Sequence, residues 1–145
     1  ARQQGYDQVL WTDARENKFI EESGMMNIMF AIDGKLITPS LSDTILDGVT
    51  RDSLLTLAKT IGYETEERPV SLDELEKAFH HNTISEAFGA GTAAVIAPVK
   101  TINIRGVDLH MPEYSHENLS AKLKQKLEHI RTGRAEDIYN WNCII

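Results

Sequence analysis

The segment Phe88-Gly-Ala-Gly-Thr-Ala-Ala-Val-Ile-Ala-Pro-Val99 joins two glycines and a threonine to a run of small and β-branched residues. Glycine lets the main chain come close to a ligand, and Thr92 sets a hydroxyl beside its own N–H, which suits a phosphate or a carboxylate. The same residues also read as an ordinary turn feeding a buried strand. A second turn of this type, Leu46-Asp-Gly-Val-Thr50, stands directly before a helical pattern. Helix starts carry unpaired N–H groups and a positive partial charge that attract anions. Gly48 permits close approach there, and Thr50 offers both a hydroxyl and an N–H. Capping of the helix by Asp47 is the competing reading. The third segment, Glu21–Phe30, holds the pair Glu21 and Glu22. This is either a solvated pair or, where one faces a heterocyclic cation, a charge-assisted partner that keeps a ring nitrogen protonated. Two anion-suited turns and one acidic group together fit a phosphorylated cofactor whose ring needs a carboxylate.

Other chemistries find little support. No Gly-Lys-Ser/Thr of a nucleotide-phosphate loop is present, and no nucleophile elbow supports Ser/His/Asp catalysis. His80 and His81 are adjacent, so their side chains diverge, and no third ligand stands at a useful spacing; no metal is expected. A net charge of −7 gives nucleic acid no basic footprint. The single cysteine, Cys143, excludes an intramolecular disulfide and a cysteine metal cluster and fits a reducing compartment. No apolar run is long enough to cross a bilayer and no signal-peptide pattern opens the chain, so no membrane association is expected. The expected location is the cytoplasm, with the mitochondrion left open.

The elements that must position these residues can be read in outline. The chain has 145 residues, 41% of them hydrophobic and 26% charged, enough for one domain with a real core. Gln8–Trp11 reads as a short strand, Thr12–Asn17 as a polar turn, and Phe19–Ile20 and Asn27–Ile32 as strands around the glutamates. Asp33-Gly34 is a two-residue hairpin turn returning through Lys35–Ile37. From about Val49 to Ile61 the spacing predicts a helix whose apolar face is Val49, Leu54, Leu55, Leu57 and Ile61, stopped at Gly62. Tyr63–Val70 reads as a strand, and Ser71-Leu-Asp-Glu74 as a capping box opening a helix to about Phe79. Strands at Glu86–Phe88, Ala94–Val99 and Thr101–Ile104 follow, then a loop holding Pro112. A last helix from about Glu117 to Arg131 carries the stripe Leu119, Leu123, Leu127 and Ile130. The tail, with Tyr139 and Trp141, is expected to pack on the body. This irregular alternation argues for a mixed α and β (α+β) domain, not a regular parallel sheet.

Gly5-Tyr-Asp-Gln-Val-Leu-Trp11, Glu21-Glu-Ser-Gly-Met-Met-Asn-Ile-Met-Phe30, Leu46-Asp-Gly-Val-Thr-Arg-Asp52 and Phe88-Gly-Ala-Gly-Thr-Ala93 resemble, in order and spacing, successive motifs of branched-chain amino acid aminotransferases. These are class IV, fold-type IV enzymes using pyridoxal 5'-phosphate. The resemblance covers nearly the whole chain. It implies that residues 1–145 form the larger C-terminal cofactor-binding domain, with strands in a pseudo-barrel and flanking helices. It implies transamination of leucine, isoleucine or valine with 2-oxoglutarate, as in branched-chain amino acid biosynthesis, by a homodimer acting on small amino acids and 2-oxo acids. Position by position, Glu22 matches the carboxylate on the pyridine nitrogen, which makes the ring an electron sink. Leu46 matches the residue packed on the ring, and Gly48, Val49, Thr50 and Thr92 match the phosphate turns. Met26, Thr92 and Ala93, the last through its N–H, match positions near the substrate.

The departures are specific. Asp47 stands where the family often has proline, and Met25 where a smaller residue or threonine is common. Ala94 and Ala97 occupy the positions of the Cys-x-x-Cys pair of mammalian members. The family's Schiff-base lysine and a following tyrosine lie upstream of the Gly5–Gln8 motif, as does its smaller N-terminal domain with a phosphate-binding arginine. The chain is therefore expected to supply only part of an active site. Within the same fold, a D-amino acid aminotransferase or an aminodeoxychorismate lyase would keep the cofactor motifs and change the substrate groups. A non-catalytic cofactor-domain fragment is the remaining alternative.

Overall fold

The run Met26-Asn-Ile-Met-Phe-Ala-Ile32 is almost wholly apolar, the pattern of a strand buried on both faces. In the computed structural model, which describes residues 1–143, it forms the central strand β3. The other strands of its sheet are β1 (Leu10–Thr12), β2 (Ile20–Ser23), β4 (Lys35–Thr38), β5 (Thr65–Glu67), β6 (Ile84–Gly91) and β7 (Val95–Pro98). Along one path the order is β1-β2-β3-β4-β5, and β6 pairs with β3 and carries β7. All pairings are antiparallel except β4 with β5. A separate two-stranded sheet joins β8 (Thr101–Ile104) to β9 (Val107–His110). The helices are α1 (Val49–Thr60), α2 (Leu72–His80) and α3 (Leu119–Arg131).

Successive residues of a strand point to opposite faces, so β3 feeds two cores. Ile28, Phe30 and Ile32 pack on one face with Leu75 and Ala78 of α2 and with Ile102 and Leu109 of the small sheet. Met29, with Leu36 and Phe88, packs on the other against Leu54 and Leu57 of α1 and Leu123 and Leu127 of α3. Each fully buried side chain of this size contributes about 2 kcal/mol of transfer free energy. Tyr139 and Trp141 stack with ring centroids 4.4 Å apart and lie on the second core, as expected for the tail.

The Asp33-Gly34 turn forms with φ of 51° and 74°, the left-handed pair that such a hairpin requires. α1 ends one residue before Ile61, and Gly62 follows at φ 88°. Ser71 caps α2 by accepting the N–H of Glu74 at 3.0 Å. The reciprocal half of the capping box is replaced: the Glu74 carboxylate turns to Arg68, at 2.9 and 2.6 Å.

Several expectations shift. The first strand lies at Leu10–Thr12, and the strand expected at Phe19–Ile20 runs on through both glutamates to Ser23. The Tyr63–Val70 strand shortens to Thr65–Glu67, because Pro69 has no N–H for a ladder and Arg68 is drawn to Glu66 and Glu74. Val49, assigned to the apolar face of α1, is 83% exposed at the helix's first position. The loop expected after Ile104 is instead a hairpin, turned by Arg105-Gly106 at φ 53° and 84°. Cys143 is exposed and free, and no described helix is long and apolar enough to cross a membrane.

Candidate active site

The β2–β3 hairpin places Glu22 opposite Asn27 and Ser23 opposite Met26. Asn27 is only 5% exposed, and an amide so buried needs partners. Its Nδ2 donates to the Leu46 carbonyl at 2.8 Å and makes a long contact of 3.4 Å to Glu22 Oε1. The Leu46 N–H donates to the same Glu22 oxygen at 2.9 Å. Beside it, the Thr44 hydroxyl donates to Glu21 Oε1 at 2.7 Å. The loop before α1 is thus tied to β2 through both glutamates. The hydrogen bonds found on the Glu22 carboxylate among the described residues all fall on Oε1.

α1 begins at Val49 behind Gly48, whose backbone is extended and which supplies no side-chain cap. Asp47 does not cap the helix, so the competing reading of this turn is set aside. The N–H groups of Val49 and Thr50 have no acceptor within the helix, and the first intrahelical bond of this turn runs from Asp52 N to Gly48 O. Arg51 is 2% exposed and anchors the helix start, its Nη2 donating to Pro39 O at 3.0 Å and Glu67 Oε2 at 2.8 Å. Its Nε is buried and has no hydrogen-bond partner among the described residues. A guanidinium in the first turn adds to the positive potential there, partly offset by Glu67.

The register of β3 with β6 sets Asn27 opposite Ala90, so the β6–β7 turn falls at the same end of the sheet as Glu22 and the start of α1. Thr92 and Ala93 are exposed in that turn. The sequence leads one to expect that the two glycines before them allow close approach to a ligand. The close neighbour is Met26: a Cβ on Gly89 would lie 2.8 Å from Met26 Cε, and one on Gly91 3.1 Å from its Cγ. Met26 lies on the face of β3 opposite Asn27, where it lines a groove of about 940 Å³ with Tyr6, Leu10, Ser23, Ile28 and Ile102.

Glu22, Leu46, Gly48, Val49 and Thr50 therefore form one connected cluster, in which Leu46 is 69% and Val49 83% exposed. Thr92 and Ala93 share its end of the sheet, and Met26 reaches that end from the other face. Asn27, the amide that joins the cluster, carried no assigned role in the sequence reading. The signal was an amide inside Met-Met-Asn-Ile-Met-Phe, a polar group in an apolar strand. His80 and His81, at the end of α2, are both exposed, and no metal-holding group of three or more His, Cys, Asp or Glu occurs among the described residues.

The family model for amino-transferase class IV matches residues 1–102. A protein of Staphylococcus aureus (strain N315) named "Probable branched-chain-amino-acid aminotransferase" is 44% identical over 145 residues, which is 100% of this chain and 40% of that protein. Branched-chain-amino-acid transaminase 1 of Bacillus subtilis is 43% identical over 141 residues, 97% of this chain and 40% of its own length. Among solved structures, the branched-chain amino acid aminotransferase of Thermobaculum terrenum in its PLP form superposes with a TM-score of 0.80 at 30% identity, covering 97% of this chain and 42% of the other. The chain spans about 40% of the length of the curated relatives it matches.

Proposed function

The chain belongs to the amino-transferase class IV family, and we propose that it is the C-terminal, cofactor-binding domain of a longer branched-chain amino acid aminotransferase. The fold agrees: a mixed α and β domain like the C-terminal part of the fold-type IV enzymes. The substrates in this reading are leucine, isoleucine or valine as amino donor and 2-oxoglutarate as acceptor. The enzyme acts as a cytoplasmic homodimer, and its Schiff-base lysine comes from the segment upstream of Gly5.

The donor set suits pyridoxal 5'-phosphate. The start of α1 has free N–H groups unscreened by any capping side chain, and Glu22 keeps one carboxylate oxygen outside the hydrogen bonds described above. When bound, the cofactor supplies an electron sink for the charge left as the substrate's α-proton departs. Glu22 holds a proton on the pyridine nitrogen as its charged partner. Leu46 gives the ring an apolar neighbour. The N–H groups of Val49 and Thr50, with the hydroxyls of Thr50 and Thr92, take the phosphate, and Gly48 keeps the approach clear. Met26 and the N–H of Ala93 meet the substrate. The observation that carries the reading is the tie from Glu22 through Leu46 to the start of α1, which joins a ring-nitrogen partner to an anion site.

The test is an intact mass of the full-length protein after PLP addition and borohydride reduction, with a panel of amino donors. One cofactor adduct on a lysine upstream of Gly5, and turnover of leucine, isoleucine and valine with 2-oxoglutarate, are expected. Glu22→Gln should lower turnover by about a hundredfold, the scale of losing one preorganised electrostatic partner, while largely sparing cofactor content. An absent adduct, preference for D-amino acids or full turnover in Glu22→Gln would overturn the assignment.

A further inference from the structure

We propose that Asn27 is a positioning residue: it bolts the Glu22 carboxylate and the phosphate turn into one rigid unit, so that ring-nitrogen recognition and phosphate binding are set together. The proposal rests on the cofactor reading above and gives a role to a residue that has none in that reading.

The geometry is a clamp on one peptide group at each side of Leu46. Its N–H is held by Glu22 Oε1 at 2.9 Å and its carbonyl by Asn27 Nδ2 at 2.8 Å. Glu22 and Asn27 are themselves cross-strand partners in the β2–β3 hairpin, so both jaws are fixed by the sheet. The other half of the Asn27 amide lies against the same turn: a Cβ on Gly48 would lie 2.3 Å from Asn27 Oδ1. The turn from Leu46 to Gly48 therefore sits flush on the amide, and α1 starts at the next residue. Gly48 has φ of −79°, which any residue adopts, so within the chain itself it is contact with Asn27, not backbone strain, that disfavours a side chain there.

Neither bond extends a ladder between strands. One amide holds a loop, a carboxylate and a helix start in register. If the loop moves, the Glu22 oxygen it anchors and the N–H groups of Val49 and Thr50 move with it. A residue that filled the same volume without donating would keep the hairpin and release the loop.

The experiment uses the full-length protein with PLP, reading cofactor affinity, the pH titration of the bound cofactor's absorption, and the melting temperature without cofactor. Asn27→Ala should weaken PLP binding about tenfold, the scale of one lost hydrogen bond, and shift the absorption titration in the direction that Glu22→Gln shifts it. The two substitutions together should fall well short of the sum of their single effects, because they act through one unit. Gly48→Ala provides the second arm: it should lower the melting temperature in the wild-type background and much less beside Asn27→Ala, with affinity unrestored. Wild-type affinity and titration in Asn27→Ala, additive effects, or a harmless Gly48→Ala would each overturn the proposal. Wild-type protein that binds no PLP overturns the functional reading and this one with it. Normal wild-type binding with an unaffected Asn27→Ala overturns this one alone.

Discussion

A methyl group added at residue 89 would place a Cβ 2.8 Å from Met26 Cε and 3.1 Å from its Sδ. Those atoms are the far end of a flexible thioether, so the side chain can swing aside at little cost to the fold. The direction open to it is the groove it already lines. Gly89→Ala is therefore expected to leave the melting temperature within a degree or two, the range of a surface substitution. On the proposed function it narrows the substrate side. The expected change is a fall in kcat/KM for leucine relative to valine by about tenfold, the scale of one methylene in an apolar pocket. A leucine-to-valine ratio equal to wild type would show that Met26 does not shape that pocket. At this scale the sequence was informative about residue types and poor about directions. Thr50, Thr92 and Glu22 stood out as groups with donors or charge. That Gly89 and Gly91 make room for a methionine from β3 depends on the β3–β6 register, which pairs residues some sixty positions apart.

The elements were legible where a local signal sufficed. α1, α2 and α3 follow from helical spacing and their stop or cap residues, and the β3–β4 hairpin from Asp33-Gly34. The β8–β9 hairpin was missed although Arg105-Gly106 stands between two runs of alternating polarity, because a turn without Asn or Asp at its first position is a weak signal. The mounting of α3 was illegible. Its N-cap Asn118 makes no side-chain cap, and the acceptor is Glu86, thirty-odd residues earlier on β6. That carboxylate is 6% exposed and accepts Leu119 N at 2.6 Å, Ser120 N at 3.2 Å and the Ser120 hydroxyl. A negative charge at a helix start is favourable, and here it also welds α3 to the sheet. Glu86→Ala strands two buried N–H groups and should cost about 3 kcal/mol; Glu86→Gln, which keeps one acceptor, should cost less. Urea unfolding of both variants decides it, and equal losses would mean that the carboxylate charge with its second acceptor oxygen, and not the filled volume or the one acceptor that Gln keeps, carries the effect.

In the molecule as a whole, the sheet is the wall between two cores, and the candidate site draws on them unequally. α1, which begins at the proposed phosphate turn, belongs to the core of Met29, Phe88 and α3, whereas α2 and the β8–β9 sheet belong to the other. Composition predicted one domain with a core. It gave no hint of strand order, since β6 meets β3 only after α1, β5 and α2 have intervened, and the likeness to a known family implied a pseudo-barrel with flanking helices but no order of strands. The division has a measurable consequence. Leu54 on α1 and Leu75 on α2 are both 0% exposed, so truncating either to alanine should remove about 3 kcal/mol of stability through the same loss of packing. Their effects on the cofactor should differ. On the proposed function, Leu54→Ala loosens the helix whose start would hold the phosphate, and Leu75→Ala loosens the far side of the sheet. PLP at a hundred times its dissociation constant stabilises a protein by about 2.7 kcal/mol. At one fixed PLP concentration the full-length Leu75→Ala protein should gain as much as wild type, and Leu54→Ala clearly less. Denaturation curves with and without PLP measure both gains. Equal gains in the two variants would mean that the sheet, not α1, sets the phosphate site.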